Sequence, residues 1–274
     1  MATKNNWLTS NLKNRFIDKN CDLKIIINQS TYQKMSFENS VFKTINELQQ
    51  IGKPIYIGLS GGLDSEFVVR KFVECKVDFK PLIISHYWYK NELTNAYNVC
   101  KELNLTPVVL EKSSKQLIEC YKNEIIDKLN SFAFGSIPQI ECLKYVLEKN
   151  GIFVKSEHAV GDDINKKTCV EFNEWDFFNE CLIENAPSYD FFMYNREICY
   201  SMIKAISDVD SQTFKCNLYG LPYREKIVGD YEISLKKYIF EKRLERNIIG
   251  SKFTLQMKPQ LFLERYFHES KQIK

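Results

Sequence analysis

The sequence predicts an α/β fold: an open, mostly parallel sheet with helices on both faces, followed by a helical C-terminal part. Three observations predict it. Short apolar runs alternate with amphipathic segments between residues 54 and 155, a Gly/Ser-rich loop joins the first run to the helix behind it, and strand-like runs fade after about residue 170. Strands alternating with helices at this spacing form βαβ units with right-handed crossovers.

The elements follow in order. Leu23-Lys24-Ile25-Ile26-Ile27 is a strand-like run, and Ser36 is placed to cap a helix reaching about Ile51, with Phe37, Val41, Ile45 and Leu48 on its apolar face. Gly52-Lys53-Pro54 stops that helix. Pro54 to Leu59 is a short apolar run suited to a buried parallel strand, and the segment from Glu66 to Phe72 continues as a helix. Pro81 to Ser85 reads as a second strand of the sheet, Glu92 to Leu103 as a helix, and Pro107 to Leu110 as a third strand. Two helices, about Ser114 to Leu129 and Ile137 to Lys149, precede a fourth strand at Gly151 to Lys155. Beyond residue 170, aromatic-rich helical segments are expected at Trp175 to Leu182, Tyr189 to Ile206 and Tyr231 to Leu244. They are expected to pack near the strand ends, where an open α/β sheet places its ligand.

Composition sets bounds on the partner. The 274 residues are 44% hydrophobic and 14% aromatic, enough for a large core, and the net charge of +3 from 38 basic and 35 acidic side chains selects no polyanion. A basic cluster at Lys236, Lys237, Lys242, Arg243 and Arg246 reads as a solvated helix face. Nine cysteines contain no C-x-x-C pair, which argues against a zinc knuckle or a disulfide framework. The polar N-terminus and the lack of a long apolar run lead us to expect a cytoplasmic protein with no membrane partner.

The loop Ser60-Gly61-Gly62-Leu63-Asp64-Ser65, between an apolar strand and a helix, carries the chemistry. A helix N-terminus presents unpaired N–H groups and a positive dipole end to phosphate. Successive glycines let the backbone approach the anion, and two serines add hydroxyl donors. Asp64 would repel bare phosphate, so it fits beside a magnesium ion carried by a nucleotide. The plain alternative is a strand-to-helix turn whose glycines and serines serve geometry alone.

Ser-Gly-Gly-x-Asp-Ser after a buried strand resembles the signature of the PP-loop (N-type) ATP pyrophosphatases, over roughly residues 53 to 165. The appearance is closest to a freestanding domain like the C-terminal half of asparagine synthetase, of the reduced sort found in bacteriophage or small genomes. The resemblance implies an adenine nucleotide alpha hydrolase-like fold of HUP type. It implies an enzyme using ATP and Mg2+, releasing AMP and pyrophosphate as it adenylates a substrate that a nitrogen or sulfur nucleophile then attacks. Nucleotide contacts would come from Leu59, Ser60, Gly61, Gly62, Leu63, Asp64, Ser65, Ser85 and His86. The resemblance divides the chain into a strand/helix extension at 1–52, an ATP-binding α/β domain at 53–169 and a helical substrate or cap region at 170–274.

The acidic segment Ser156 to Asp163 follows the fourth strand, where family members keep substrate-binding residues. Glu157 is the expected general base or substrate-amine contact, because a carboxylate at a strand's C-terminal end faces the cleft. Asp162 and Asp163 are expected magnesium ligands beside Asp64, although a hydrophilic surface loop explains them equally. Lys226, or Arg224, is the expected cation for departing pyrophosphate. Residue 2 is Ala and about 50 residues precede the loop, so no glutaminase domain is expected. A small-molecule substrate is the implied partner. The alternatives are a nucleic-acid base modifier and an ATP-binding protein without chemistry.

Overall fold

The computed structural model describes residues 7–10, 25–27, 31–85, 91–120, 123, 137–156, 160–173, 186–224 and 254–267. Its centre is a five-stranded sheet of β3 (Ile55–Gly58), β4 (Lys80–Ile84), β5 (Val108–Leu110), β6 (Ile152–Lys155) and β9 (Ser188–Asp190), in the order β5-β4-β3-β6-β9. Every neighbouring pair is parallel. Starting at the middle, the chain steps outward through β4 and β5, then crosses back to β6 and continues outward to β9. The winding therefore reverses between β3 and β6, the point at which an open α/β sheet has its ligand crevice.

Side-chain alternation explains why both faces are covered. Ile55, Ile57, Ile83, Ile152 and Val154 enter one buried cluster, whereas Tyr56, Leu82 and Phe153 enter a second. Successive strand residues point to opposite faces, so each run of apolar residues serves two layers. The first layer holds helices α1 (Phe37–Gln49), α2 (Leu63–Glu74) and α3 (Glu92–Glu102), through Val41, Ile45, Phe67, Val68, Ala96 and Val99. Helix α4 (Ser114–Cys120) comes next in the chain, and α5 (Ile137–Glu148) covers the second face through Cys142, Leu143 and Val146. Ser36 caps α1 as expected, its Oγ accepting the Asn39 N–H at 3.2 Å.

The region after residue 160 contains more strand than the sequence suggested. β7 (Val160–Asp162), β8 (Thr168–Asn173) and β10 (Thr254–Met257) form a small antiparallel sheet in the order β10-β8-β7, and β1 (Leu8–Ser10) pairs with β2 (Ile25–Ile27). Tyr189, expected to start a helix, lies in β9; the helix that follows is shorter, α6 (Arg196–Lys204). A three-residue strand has no readable period, and Ser188 to Asp190 become one only by pairing with Phe153 to Lys155. Helix α7 (Ser211–Tyr219), capped by Asp210 and closed by Gly220 in the left-handed region (φ +66°), was also not expected. The final helix is α8 (Pro259–Phe267). The expected helices at Trp175 to Leu182 and Tyr231 to Leu244, the basic cluster at 236 to 246 and the far half of the Ser114 helix lie outside the described residues.

Residues from the first and last parts of the chain share the large cluster with the sheet. The Trp7 indole N–H donates to the Met193 carbonyl at 3.0 Å, and the Arg196 guanidinium lies 4.8 Å from both the Tyr32 and Phe267 ring centres. Among the described residues no disulfide occurs and no helix is long and apolar enough to cross a membrane.

Asn195 ties α6 to α1. Its Oδ1 accepts the Ile198 N–H at 3.0 Å as the helix cap, while its amide donates to Thr44 at 3.0 Å and Glu47 at 2.9 Å. Asn195→Ala is expected to cost about 2–4 kcal/mol in urea unfolding, from a lost cap and two side-chain hydrogen bonds, one of them buried.

Candidate active site at the sheet reversal

The strand β3 ends at Gly58, and the chain must turn within a few residues to begin α2 at Leu63. Gly61 makes the turn at φ +83°, a conformation costly for residues with a Cβ. A Cβ at Gly61 would also sit 2.0 Å from the Glu92 carbonyl oxygen at the start of α3. Gly62 differs. It is in extended conformation (φ −80°, ψ 164°), and a Cβ there would meet only Ser60 Oγ, at 3.3 Å. Among the described residues, packing therefore demands glycine far less at 62 than at 61.

Among the described residues no side chain caps α2 or α3, whereas Ser36, Asn195 and Asp210 cap α1, α6 and α7. The serine hydroxyls shape the loop beneath the open end of α2. Ser65 Oγ accepts the Ser60 N–H at 3.2 Å and donates to the Gly62 carbonyl at 3.1 Å, and Ser60 Oγ accepts the Gly62 N–H at 3.2 Å. Ser65 is buried, so its contribution lies in loop geometry.

Asp64, in the first turn of α2, is engaged from the far side of the chain. Lys215 Nζ donates to its Oδ2 at 2.8 Å, and Tyr219 Oη donates to its Oδ1 at 2.7 Å. Lys215 and Tyr219 stand four apart on α7 and so share one helix face. Both are buried, Lys215 at 8% exposure and Tyr219 at 9%. Burial foremost, and then the Asp64 charge, hold the Tyr219 phenol well above its usual range, so it remains a donor through neutral pH.

Arg224 forms a second tie. Its Nη1 donates to the Gly61 carbonyl at 3.0 Å, and its Nη2 pairs with the buried Glu66 carboxylate. Glu66 also accepts from Arg70 at 2.8 Å, and Arg70 makes a bidentate pair with Glu102 at 2.8 and 2.7 Å. The hydrogen bonds to Arg70 hold the Glu102 carboxyl below its ordinary range.

Across the reversal point, Ser156 at the end of β6 has a buried hydroxyl with no hydrogen-bond partner among the described residues. Lys155 pairs with Asp190 at 3.6 Å, both buried, at matching positions on β6 and β9.

The other expected site residues fall variously. Leu59 and Leu63 are buried at the two ends of the loop. Ser85 follows β4 and bonds to Lys112 just beyond β5, its Oγ accepting the Lys112 N–H at 2.8 Å and donating to the Lys112 carbonyl at 3.2 Å. Asp162 accepts the Ser211 N–H at 2.6 Å, and Asp163 folds the β7–β8 turn by accepting the Asn165 and Lys167 N–H groups at 2.8 and 3.0 Å. Those bonds hold the Asp163 carboxyl below its ordinary range. Among the described residues, no group of three or more His, Cys, Asp or Glu side chains is arranged to hold a metal ion. His86, Glu157 and Lys226 lie outside the described residues.

No family model and no curated protein matches the sequence. Among solved structures the chain is similar to an NMN synthetase from Francisella tularensis, at 13% identity and a TM-score of 0.38, over 80% of this chain and 99% of that one. It is also similar to an NH3-dependent NAD synthetase from Campylobacter jejuni subsp. jejuni NCTC 11168, in complex with the nitrate ion. There the identity is 17% and the TM-score 0.35, over 79% of this chain and 99% of the other. At such scores the likeness decides neither reaction nor substrate.

The two glycines should separate in experiment. Gly61→Ala is expected to lose about 2–5 kcal/mol of stability from left-handed strain and overlap with Glu92. Gly62→Ala should stay within about 1 kcal/mol of the parent and instead weaken phosphate binding. Urea unfolding alongside a pyrophosphate titration checks both.

Proposed function

We propose that the chain is an ATP-dependent enzyme of PP-loop type that splits ATP between the α and β phosphates and adenylates a small-molecule substrate. The carrying observation is the uncapped start of α2 behind the Ser60–Ser65 loop, at the point where the sheet reverses its winding. Three features fit an anionic phosphate there. The helix end offers donors and a positive dipole, Gly62 leaves room for close approach, and Lys215 brings a buried ammonium next to the loop.

A magnesium ion would supply charge neutralisation on the phosphates. Asp64 fits it, being a hard oxygen donor in the first turn behind the loop. Asp162 and Asp163 serve the fold nearby: Asp162 accepts the Ser211 N–H at the start of α7, and Asp163 accepts two N–H groups of its own β7–β8 turn. Lys215 is our assignment for the cation that steadies departing pyrophosphate, a role for which the sequence offered Lys226 or Arg224. Arg224 instead steadies the loop through Gly61 and Glu66.

The acceptor would enter beside the end of β6, where the chain continues from Ser156 to Glu157. An asparagine synthetase-like acceptor, with a carboxylate to activate and a nitrogen nucleophile to follow, is the specific form of this reading.

ATP labelled at the α and γ positions is the test, with Mg2+ and a panel of small carboxylates. AMP and pyrophosphate are expected; ADP and phosphate would overturn the proposal. Asp64→Asn should lower turnover about a hundredfold or more, as expected when several kcal/mol of charge stabilisation is lost. Asparagine is preferred to alanine because it leaves a polar partner for the buried Lys215 and Tyr219.

A further inference from the structure

Tyr219 has no place in the loop signature, yet its hydroxyl is bonded to Asp64 and its ring is held in an aromatic stack. Its ring lies 4.3 Å from that of Phe67 at 19°, 5.7 Å from Phe192 at 18° and 6.4 Å from Phe37 at 24°. Phe67 follows Asp64 by three residues on α2, so the ring that clamps the tyrosine and the carboxylate that receives its hydroxyl share one helix face. The three neighbours come from α1, α2 and the turn after β9 and are nearly parallel to the phenol, which leaves the hydroxyl little freedom of direction.

The two carboxylate oxygens of Asp64 are thereby made unequal. Oδ1 receives a neutral donor on a ring fixed by packing, at 2.7 Å. Oδ2 receives Lys215, whose flexible stem can carry the ammonium elsewhere, at 2.8 Å. We propose that Tyr219 is a positioning residue for the nucleotide-bound metal. It holds Asp64 by Oδ1 and leaves Oδ2 as the oxygen that is exchanged from Lys215 to magnesium. Lys215, released from Asp64, is then available to the phosphates. The inference rests on the ATP reading above and adds to it a division of labour between the two residues of α7.

Isothermal titration of ATP into the full chain, once with Mg2+ and once with EDTA, separates the parts. Tyr219→Phe keeps the ring stack and removes only the hydroxyl, and thermal unfolding without ligand checks that it folds. The gain in ATP affinity caused by Mg2+ should fall about 10- to 100-fold in this variant, the usual cost of losing a residue that orients a metal ligand. Affinity in EDTA should stay within about twofold of the parent. Lys215→Met should lose ATP affinity chiefly with Mg2+ present, because in EDTA the ammonium of the parent stays on Asp64.

An unchanged Mg2+ gain in Tyr219→Phe, or an equal loss with and without the metal, would overturn the positioning role. No loss in Lys215→Met with Mg2+ present, or a loss as large in EDTA, would overturn the exchange at Oδ2. A parent chain that binds no ATP under either condition removes the nucleotide reading itself, a result distinct from the other two.

Discussion

The turn at Gly61 is the constraint from which the rest of the site follows. There the chain leaves the central strand in a left-handed conformation, pressed against the Glu92 carbonyl, and within two residues enters α2. Any side chain at 61 would push the loop off α3 and swing the helix start away from the gap between β3 and β6. With the turn in place, the helix dipole points into the crevice that the parallel sheet opens by reversing its winding. Ser60 and Ser65 then bond to each other's segment and to Gly62, so the loop is shaped before any ligand arrives.

A loop of this kind is only half a site, and the other half comes from about 150 residues later in the chain, where α7 brings Lys215 and Tyr219 to Asp64. Arg224 reaches the loop carbonyl from the segment just beyond. The same stretch thus contacts the turn, the carboxylate and the buried Glu66. Removal of the Asp64 carboxylate would leave Lys215 and Tyr219 buried without the acceptor they share, which is expensive in a poorly solvated setting.

The parallel sheet, its covering helices and the loop were legible in the sequence because each carries a local signal. Ile55 to Ile57 read as a buried strand, Ser36 as a cap, and Ser60 to Ser65 as a phosphate loop from residue type and order alone. Lys215 and Tyr219 were not found. Their spacing places them on one helix face, but nothing local ties that face to a residue far upstream, and Lys226 drew attention only through a family parallel. The short strand at Ser188 to Asp190 escaped because its identity depends on pairing with β6. Asp162 and Asp163 are expected at a metal by composition, and residue type cannot reveal that each also accepts backbone N–H groups that hold the fold.

The central claim is that the start of α2 and the face of α7 together hold a nucleotide's phosphates. Amide NMR of the full chain during titration with magnesium pyrophosphate tests this most directly. The account predicts the largest, saturable shifts at the N–H groups of Gly61 to Ser65, with a second set at Lys215 and Tyr219. Saturable binding that leaves these amides unmoved, or no binding at all, would contradict it.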